Sequence, residues 1–285
     1  MQWDRSVLLG VPQEASAMIR HPPRAARFLA LALAAGAMLA TEACSNGSGA
    51  ATSTSSRSAG ALTQAEAETA LINTTDLEGN WTRVNDAATW RDSLLIGKVD
   101  AAQFFTDSKT TAADCQKLLD VLYSDALLGK PSWARAVAGF SGGGDGARML
   151  YQVAGHDRGQ LDSSLAWLKT LPVKCDQFTV TGKDGSTRTA QVIETSLPKA
   201  GDSRQGLRLT LQGPVGSNPA TLTLDLAAVR VGTNAIAVTN GGLGSTEADS
   251  TQQAVTLGTR RLKDVLAGKT PAEQPPGQQE SLTRP

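Results

Sequence analysis

Histidine and cysteine are almost missing from this sequence: 285 residues hold two histidines and three cysteines. His21 falls in the N-terminal stretch, so the remainder has His156 alone. A structural zinc site, which needs four Cys/His ligands, is excluded. No cofactor is expected. Aromatic residues make up 4% of the chain, so Trp81, Trp90, Trp133 and Trp167 stand out singly. Trp167 sits beside a leucine stripe and reads as core; Trp81 and Trp133 read as core, with a cleft wall as the alternative. Charge of either sign is not in surplus, with 27 basic and 27 acidic residues. Nucleic acid is therefore not an expected partner.

No apolar run is long enough to span a bilayer. The longest, residues 28–40 (FLALALAAGAMLA), falls short of the ~20 residues a spanning helix needs. It follows residues 18–27 (MIRHPPRAAR), which hold three arginines and no acid. A basic stretch before a short apolar one is a secretory signal. Asp4 and Glu14 fit that n-region poorly, and Met18 is the expected true start. The signal closes on Leu39-Ala-Thr-Glu-Ala-Cys44, followed by a Ser/Gly/Thr stretch. A small residue before a cysteine resembles the lipobox of bacterial lipoproteins. That resemblance implies cleavage after Ala43 and acylation of Cys44, with membrane attachment through the lipid. Thr41 and Glu42 depart from it, and plain secretion is the alternative, since Thr41-Glu42-Ala43 also suits ordinary signal peptidase.

The expected organisation is a leader over 1–43, a lipidated Cys44 and low-complexity tether over 44–60, one domain over 61–268, and a Pro/Gln-rich tail over 269–285. Without the leader's Arg5, Arg20, Arg24, Arg27, Asp4, Glu14 and Glu42, 23 basic and 24 acidic residues remain. With Cys44 acylated, Cys115 and Cys175 form an even pair in an oxidising compartment. A disulfide is expected, with two buried thiols as the alternative.

Within the domain, Thr63 and Glu66 make a capping box for a first helix, ending before Asp76. Cys115, Leu118, Leu119, Leu122 and Ala126 recur at helical spacing up to Gly129-Lys130-Pro131. A third helix covers about 157–171, stopped by Pro172, and a last one about 247–267. Short apolar runs at 132–140 and 147–154 flank a glycine loop at 142–146. Runs at 178–181 and 188–195 flank Lys183-Asp-Gly-Ser186, a hairpin signal. Leu207, Leu209, Leu211 and then Leu222, Leu224, Leu226 alternate with polar residues, and a final strand covers 235–239. Consecutive hairpins imply an α+β fold: an antiparallel sheet with helices packed mainly on one face and one disulfide.

One motif suggests catalysis. Gly139-Phe-Ser141-Gly-Gly143 matches the G-x-S-x-G nucleophile elbow. A strand precedes it, but glycines and another strand follow where a helix is required. His156 would have to be the base and Asp145 the acid, which crowds the triad, so a glycine-rich hairpin loop is the stronger reading. A phosphate loop is weaker still, since no G-K-[ST] follows.

By its layout the chain resembles the PknH-like extracellular domain found on actinobacterial receptor kinases and in free-standing lipoproteins. The residues that carry the resemblance are Asp76-Leu-Glu-Gly-Asn-Trp81, Cys115 within a helix, Cys175-Asp-Gln-Phe178 and Val229-Arg-Val-Gly-Thr-Asn234. It implies a non-catalytic sensor-like domain with a cleft for an unidentified extracellular ligand. Family members can carry two disulfides; this chain has cysteines for one. Arg135, Arg148, Tyr151 and Arg230 are the residues expected to line a ligand site, arginines beside strands being able to anchor anions, with salt-bridged surface arginines as the alternative. The expected function is that of a ligand-binding lipoprotein on the outer face of the cell membrane. The alternatives are a scaffolding lipoprotein that binds an envelope protein, and a Ser141 hydrolase.

Overall fold

The computed structural model describes residues 60–272 apart from 95–98, 102–108, 143–145, 184, 216–217 and 245–247. The expected leader, all of the tether but Gly60, and the tail beyond Ala272 lie outside the described residues. The core element is one antiparallel sheet in the order β1-β3-β4-β9-β8-β7-β6-β5-β2. Its longest strands are β7 (Ser203–Val215), β8 (Asn218–Val231) and β9 (Asn234–Leu243). Outside them come β3 (Arg135–Gly142) and β4 (Ala147–Gly155) on one side, β5 (Gln177–Gly182) and β6 (Thr187–Thr195) on the other. The α+β class and antiparallel pairing agree with the sequence pattern. So does the Cys115–Cys175 disulfide, with Cα atoms 5.7 Å apart.

The helices do not keep to one face. Those expected mainly on one side divide between two. α3 (Lys109–Val121) and α4 (Arg158–Lys174) cover one core, with Leu118, Leu122, Leu161 and Leu168 against Leu209, Leu211, Leu222 and Leu224. α1 (Gln64–Thr69) and α5 (Ala248–Leu266) cover a second, with Ala67, Val255 and Leu262 against Phe140, Met149, Ile236 and Val238. β8 explains why. Its first half alternates Leu222-Thr-Leu224-Asp-Leu226, but Ala227, Ala228 and Val229 are all buried, as a strand covered on both faces requires. Among the described residues no helix is long and apolar enough to cross a membrane.

Several boundaries move. The capping box is present, Thr63 Oγ1 accepting from the Glu66 amide at 3.2 Å and Glu66 Oε2 from the Thr63 amide at 2.7 Å. α1 nevertheless ends at Thr69, and a 3-10 turn at Thr74–Asp76 follows, capped by Asn73. α3 stops at Val121, short of Ala126, because Tyr123 turns to a φ of 50°. There its hydroxyl donates to the carbonyls of Arg148 (3.1 Å) and Gly241 (2.9 Å). Pro172 lies inside α4 rather than ending it. In a last turn a proline removes one ladder bond only, and the Cys175 amide still closes on the Leu171 carbonyl at 2.7 Å. Two edge strands, β1 (Trp81–Val84) and β2 (Val99–Asp100), were not expected from the pattern; both are too short to show a period. A four-residue α2 (Trp90–Ser93) lies between them. Trp81 is core, but Trp133 is 44% exposed.

Candidate functional site

The four residues expected to line one site do not converge. Arg135, at the start of β3, pairs with Asp125, and its backbone is clasped by Gln64 (2.9 and 3.2 Å). Arg148 lies on β4 with its guanidinium 5.8 Å from the Trp90 ring centroid. Arg135 is opposite Ala154 in the ladder, six positions from Arg148, or about 20 Å at strand rise. Tyr151 points to the other face and is fully buried beneath α5. Arg230, on β8, stands 3.6 Å from Asp162 of α4.

The Ser141 reading loses its context in the same way. Ser141 sits within β3, paired with Thr82 of β1 and Arg148 of β4, and β4 is the next described element. Among the described residues no helix stands between them to make an elbow. His156 lies just beyond the opposite end of β4, eight residues from Arg148, or about 27 Å along the strand. A proton cannot pass between them.

One concave feature of the described residues is an open groove of about 870 Å³ where β7, β8 and β9 end, within the size range of small-ligand sites. Pro214 and Pro219 face each other there in the β7–β8 ladder. Lacking N–H groups, they remove two donors from the ladder one step before its last pair, Val215 and Asn218. Gln212, Gly213, Ala220, Thr221, Leu243 and Gly244 complete its described walls, and none of these residues is charged. Leu243 is 37% exposed. Such walls suit an uncharged ligand with apolar surface. Among the described residues no three His, Cys, Asp or Glu side chains gather as a metal site would require.

Polar chemistry is instead buried under α5, where the sequence pattern gave no sign of it. Asp76, 1% exposed, accepts from the Asn73 amide (2.9 Å) and stands 3.3 Å from Arg261. Tyr151 adjoins this pair; burial pushes its phenol far above the usual range, with Arg261 opposing and Asp76 reinforcing the shift. Gly258 leaves the room for it, since a Cβ there would collide with the phenol oxygen. On the same face Arg208 and Asp225 form a two-pronged pair at 2.7 and 3.0 Å, which raises the arginine's pKa. Asn240 donates to Thr251 of α5 at 2.9 Å. Hydrogen bonding and ion pairing tie Asp76, Arg261, Arg208, Asp225 and Asn240 into the scaffold, whereas the buried Tyr151 hydroxyl has no hydrogen-bond partner among the described residues.

His156 is buried at the β4–α4 junction, and burial lowers its pKa below the ordinary 6.5. The fold therefore favours the neutral imidazole. Stability from this group is fully present above the unfolded value and declines as pH falls below it, because the unfolded chain takes up a proton that the folded one resists. Denaturant midpoints should drop as pH is lowered through about 6, and His156→Gln should flatten that part of the profile relative to wild type. Parallel profiles for the two proteins would contradict this.

No protein-family model matches the chain, and no curated protein matches its sequence. Among solved structures it is similar to the extracellular domain of PknH from Mycobacterium tuberculosis. The identity is 14% over 73% of this chain and 98% of that one, with a TM-score of 0.41. It is also similar to a putative uncharacterized protein from Mycobacterium smegmatis, at 13% identity over 68% of this chain and 87% of the other, TM-score 0.29. This is a weak fold-level relation; it places the chain in no family and carries no site residue across.

Proposed function

We propose that this chain is an exported lipoprotein, held at the outer face of the cell membrane through Cys44, whose domain binds a ligand and performs no chemistry of its own. The observation that carries the proposal is the buried Cys115–Cys175 bridge. Structural disulfides persist on the oxidising side of a membrane, and with those two cysteines joined, Cys44 is the sole thiol left for acylation. In this reading 1–43 is removed, 44–60 is the tether, 61–268 the binding domain and 269–285 a tail. The uncharged groove at Pro214, Pro219 and Leu243 is the better ligand site. Arg135 and Arg230, named from the sequence, already face carboxylates, and Arg148 lies on a different strand end from both.

The sheet face opposite α4 bears on the scaffold alternative. On β6 it presents Thr187, Thr189 and Gln191, all exposed, with Ile193 the one large apolar side chain. A protein-docking face would need a larger apolar patch, so a small ligand is the favoured partner.

The test is fractionation of cells fed a clickable fatty acid. The wild-type chain should carry the label, partition into the detergent phase, and show a non-reducing gel shift from its disulfide. Cys44→Ala should lose the label and move to the aqueous phase or medium with the disulfide intact. A cytosolic chain with reduced thiols would overturn the proposal. Native mass spectrometry of the exported chain should then show a retained mass that Leu243→Asp releases.

A further inference from the structure

The lipid anchor has a counterpart in the fold, and this inference rests on the Cys44 reading above. Trp133 is 44% exposed, whereas Trp81 and Trp90 are 6% and 2%. It is also rigidly presented. The Ser132 amide donates to the Gly155 carbonyl and the Gly155 amide to the Ala134 carbonyl, both at 2.9 Å, so the backbone is fixed on either side of it. Its ring lies over Gly155, where a Cβ would collide with the indole nitrogen. Gly155 is the ladder partner of Asn234, whose Nδ2 donates to the carbonyl of Gly60 at 2.6 Å. The last tether residue and the exposed indole are therefore both held at a single cross-strand pair.

Distances decide what this juxtaposition means. Sixteen peptide bonds separate Cys44 from Gly60, a span that cannot exceed about 58 Å. β9 runs from Asn234 at this end to Leu243 at the groove, about 30 Å along the strand. The chain therefore enters the domain at the Trp133 end, and the groove lies at the far end of β9 from that entry. Indole rings partition to the headgroup level of bilayers, apolar body inward and N–H wet.

We propose that Trp133 is a bilayer contact: it docks in the headgroup layer, sets the domain upright on its tether and turns the Pro214–Leu243 groove away from the membrane. The partner is the phospholipid surface; a neutral glycan stacking on the same ring is the competitor that the test separates.

The experiment uses the full acylated chain, purified from membranes and reconstituted in phosphatidylcholine/phosphatidylglycerol vesicles, beside Trp133→Phe. Vesicle flotation reports anchoring. The Trp133 emission, taken as the difference between the two proteins, reports contact. The expected result is a blue-shifted difference emission, several-fold less quenched by aqueous acrylamide than in detergent-free Cys44→Ala, and quenched by lipids labelled near the headgroup. Flotation with unchanged acrylamide quenching overturns this proposal and leaves the anchoring intact. Failure to float overturns both. Quenching or shift of the same emission by a soluble neutral glycan, without vesicles, assigns the ring to a sugar and overturns the bilayer contact. Circular dichroism of Trp133→Phe checks that the loss is of the ring and not of the fold.

Discussion

Replacing Cys115 and Cys175 together by serine is expected to lower the stability of the domain by about 4 kcal/mol. The two cysteines are 60 residues apart in sequence, and the entropy of closing a loop of that length in the unfolded chain gives that figure. Both are fully buried where α3 meets the junction of α4 and β5. The native state should survive the change, because α3 has other attachments at the same place. Lys174 pairs with Asp114 at 2.5 Å, and the Trp167 indole donates to the other oxygen of Asp114 at 3.0 Å. Lys117 lies 4.0 Å from the centroid of the Trp167 ring. The loss therefore falls mainly on the unfolded side, as a larger ensemble, and the urea m-value should rise as the midpoint falls. A fall in Tm of about 10 °C is expected for a domain of this size. Urea and thermal unfolding of the two proteins under oxidising conditions measure it. A loss below about 1 kcal/mol, against the chain-entropy figure, would mean that the bridge closes no loop that the unfolded chain keeps open.

The parts of this fold that were legible in the sequence are those with a repeating period or a local chemical signature. Leu207, Leu209 and Leu211 point to one core because strand side chains alternate, and they are all buried there. Gly185, at a φ of 76°, turns the β5–β6 hairpin as its Asp-Gly neighbourhood implied. The capping box at Thr63 and the long α5 were equally readable. β1 and β2 were not, since four and two residues carry no period, and they exist only because the edges of β3 and β5 offer them a ladder. The second layer of helices was hidden for a different reason: Ala227, Ala228 and Val229 look like the end of an alternating strand until α5 is seen packed across them. Least legible were the polar groups. Arg208 meets Asp225 through a ladder register, and Asn240 meets Thr251 through the packing of α5 on β9, and no single-sequence pattern expresses either. The arginines picked for standing beside strands were placed correctly on strands and wrongly together, because proximity in a nine-stranded sheet depends on strand order. The groove, made of two prolines, a leucine and glycines, has no charged residue to draw attention to it.

Asp76→Asn is expected to destabilise the domain by about 3 kcal/mol, although the substitution changes almost no volume. Asparagine keeps an oxygen that can accept from the Asn73 amide, so the turn at Thr74–Asp76 should persist. What disappears is the charge facing Arg261, whose side chain is 12% exposed and whose Nη2 donates to the Thr69 carbonyl at 3.2 Å. That guanidinium cannot move into water without giving up its place between α1 and α5, and an uncompensated buried charge costs several kcal/mol. Arg261→Met should cost about as much by stranding Asp76, which is 1% exposed. Asp76→Asn with Arg261→Met should cost well below the sum, because the double variant strands neither group. Raising salt should change these differences little, since buried pairs are poorly screened. Denaturant unfolding of the four proteins at low and high salt supplies the cycle, and additivity of the two single losses would show that the pair is not coupled. The same cycle explains the composition of the Asp76–Trp81 segment. Asp76 meets Arg261, Leu77 enters the core, the Glu78 amide donates to Gln253 of α5 at 2.7 Å, Gly79 takes a φ of 92°, and Trp81 returns its indole N–H to the Glu78 carbonyl at 2.9 Å. Asp76 and Glu78 fix the segment to α5 and Trp81 closes back on Glu78, so a segment that carries no catalytic group is constrained by the need to dock the edge of the sheet onto the last helix.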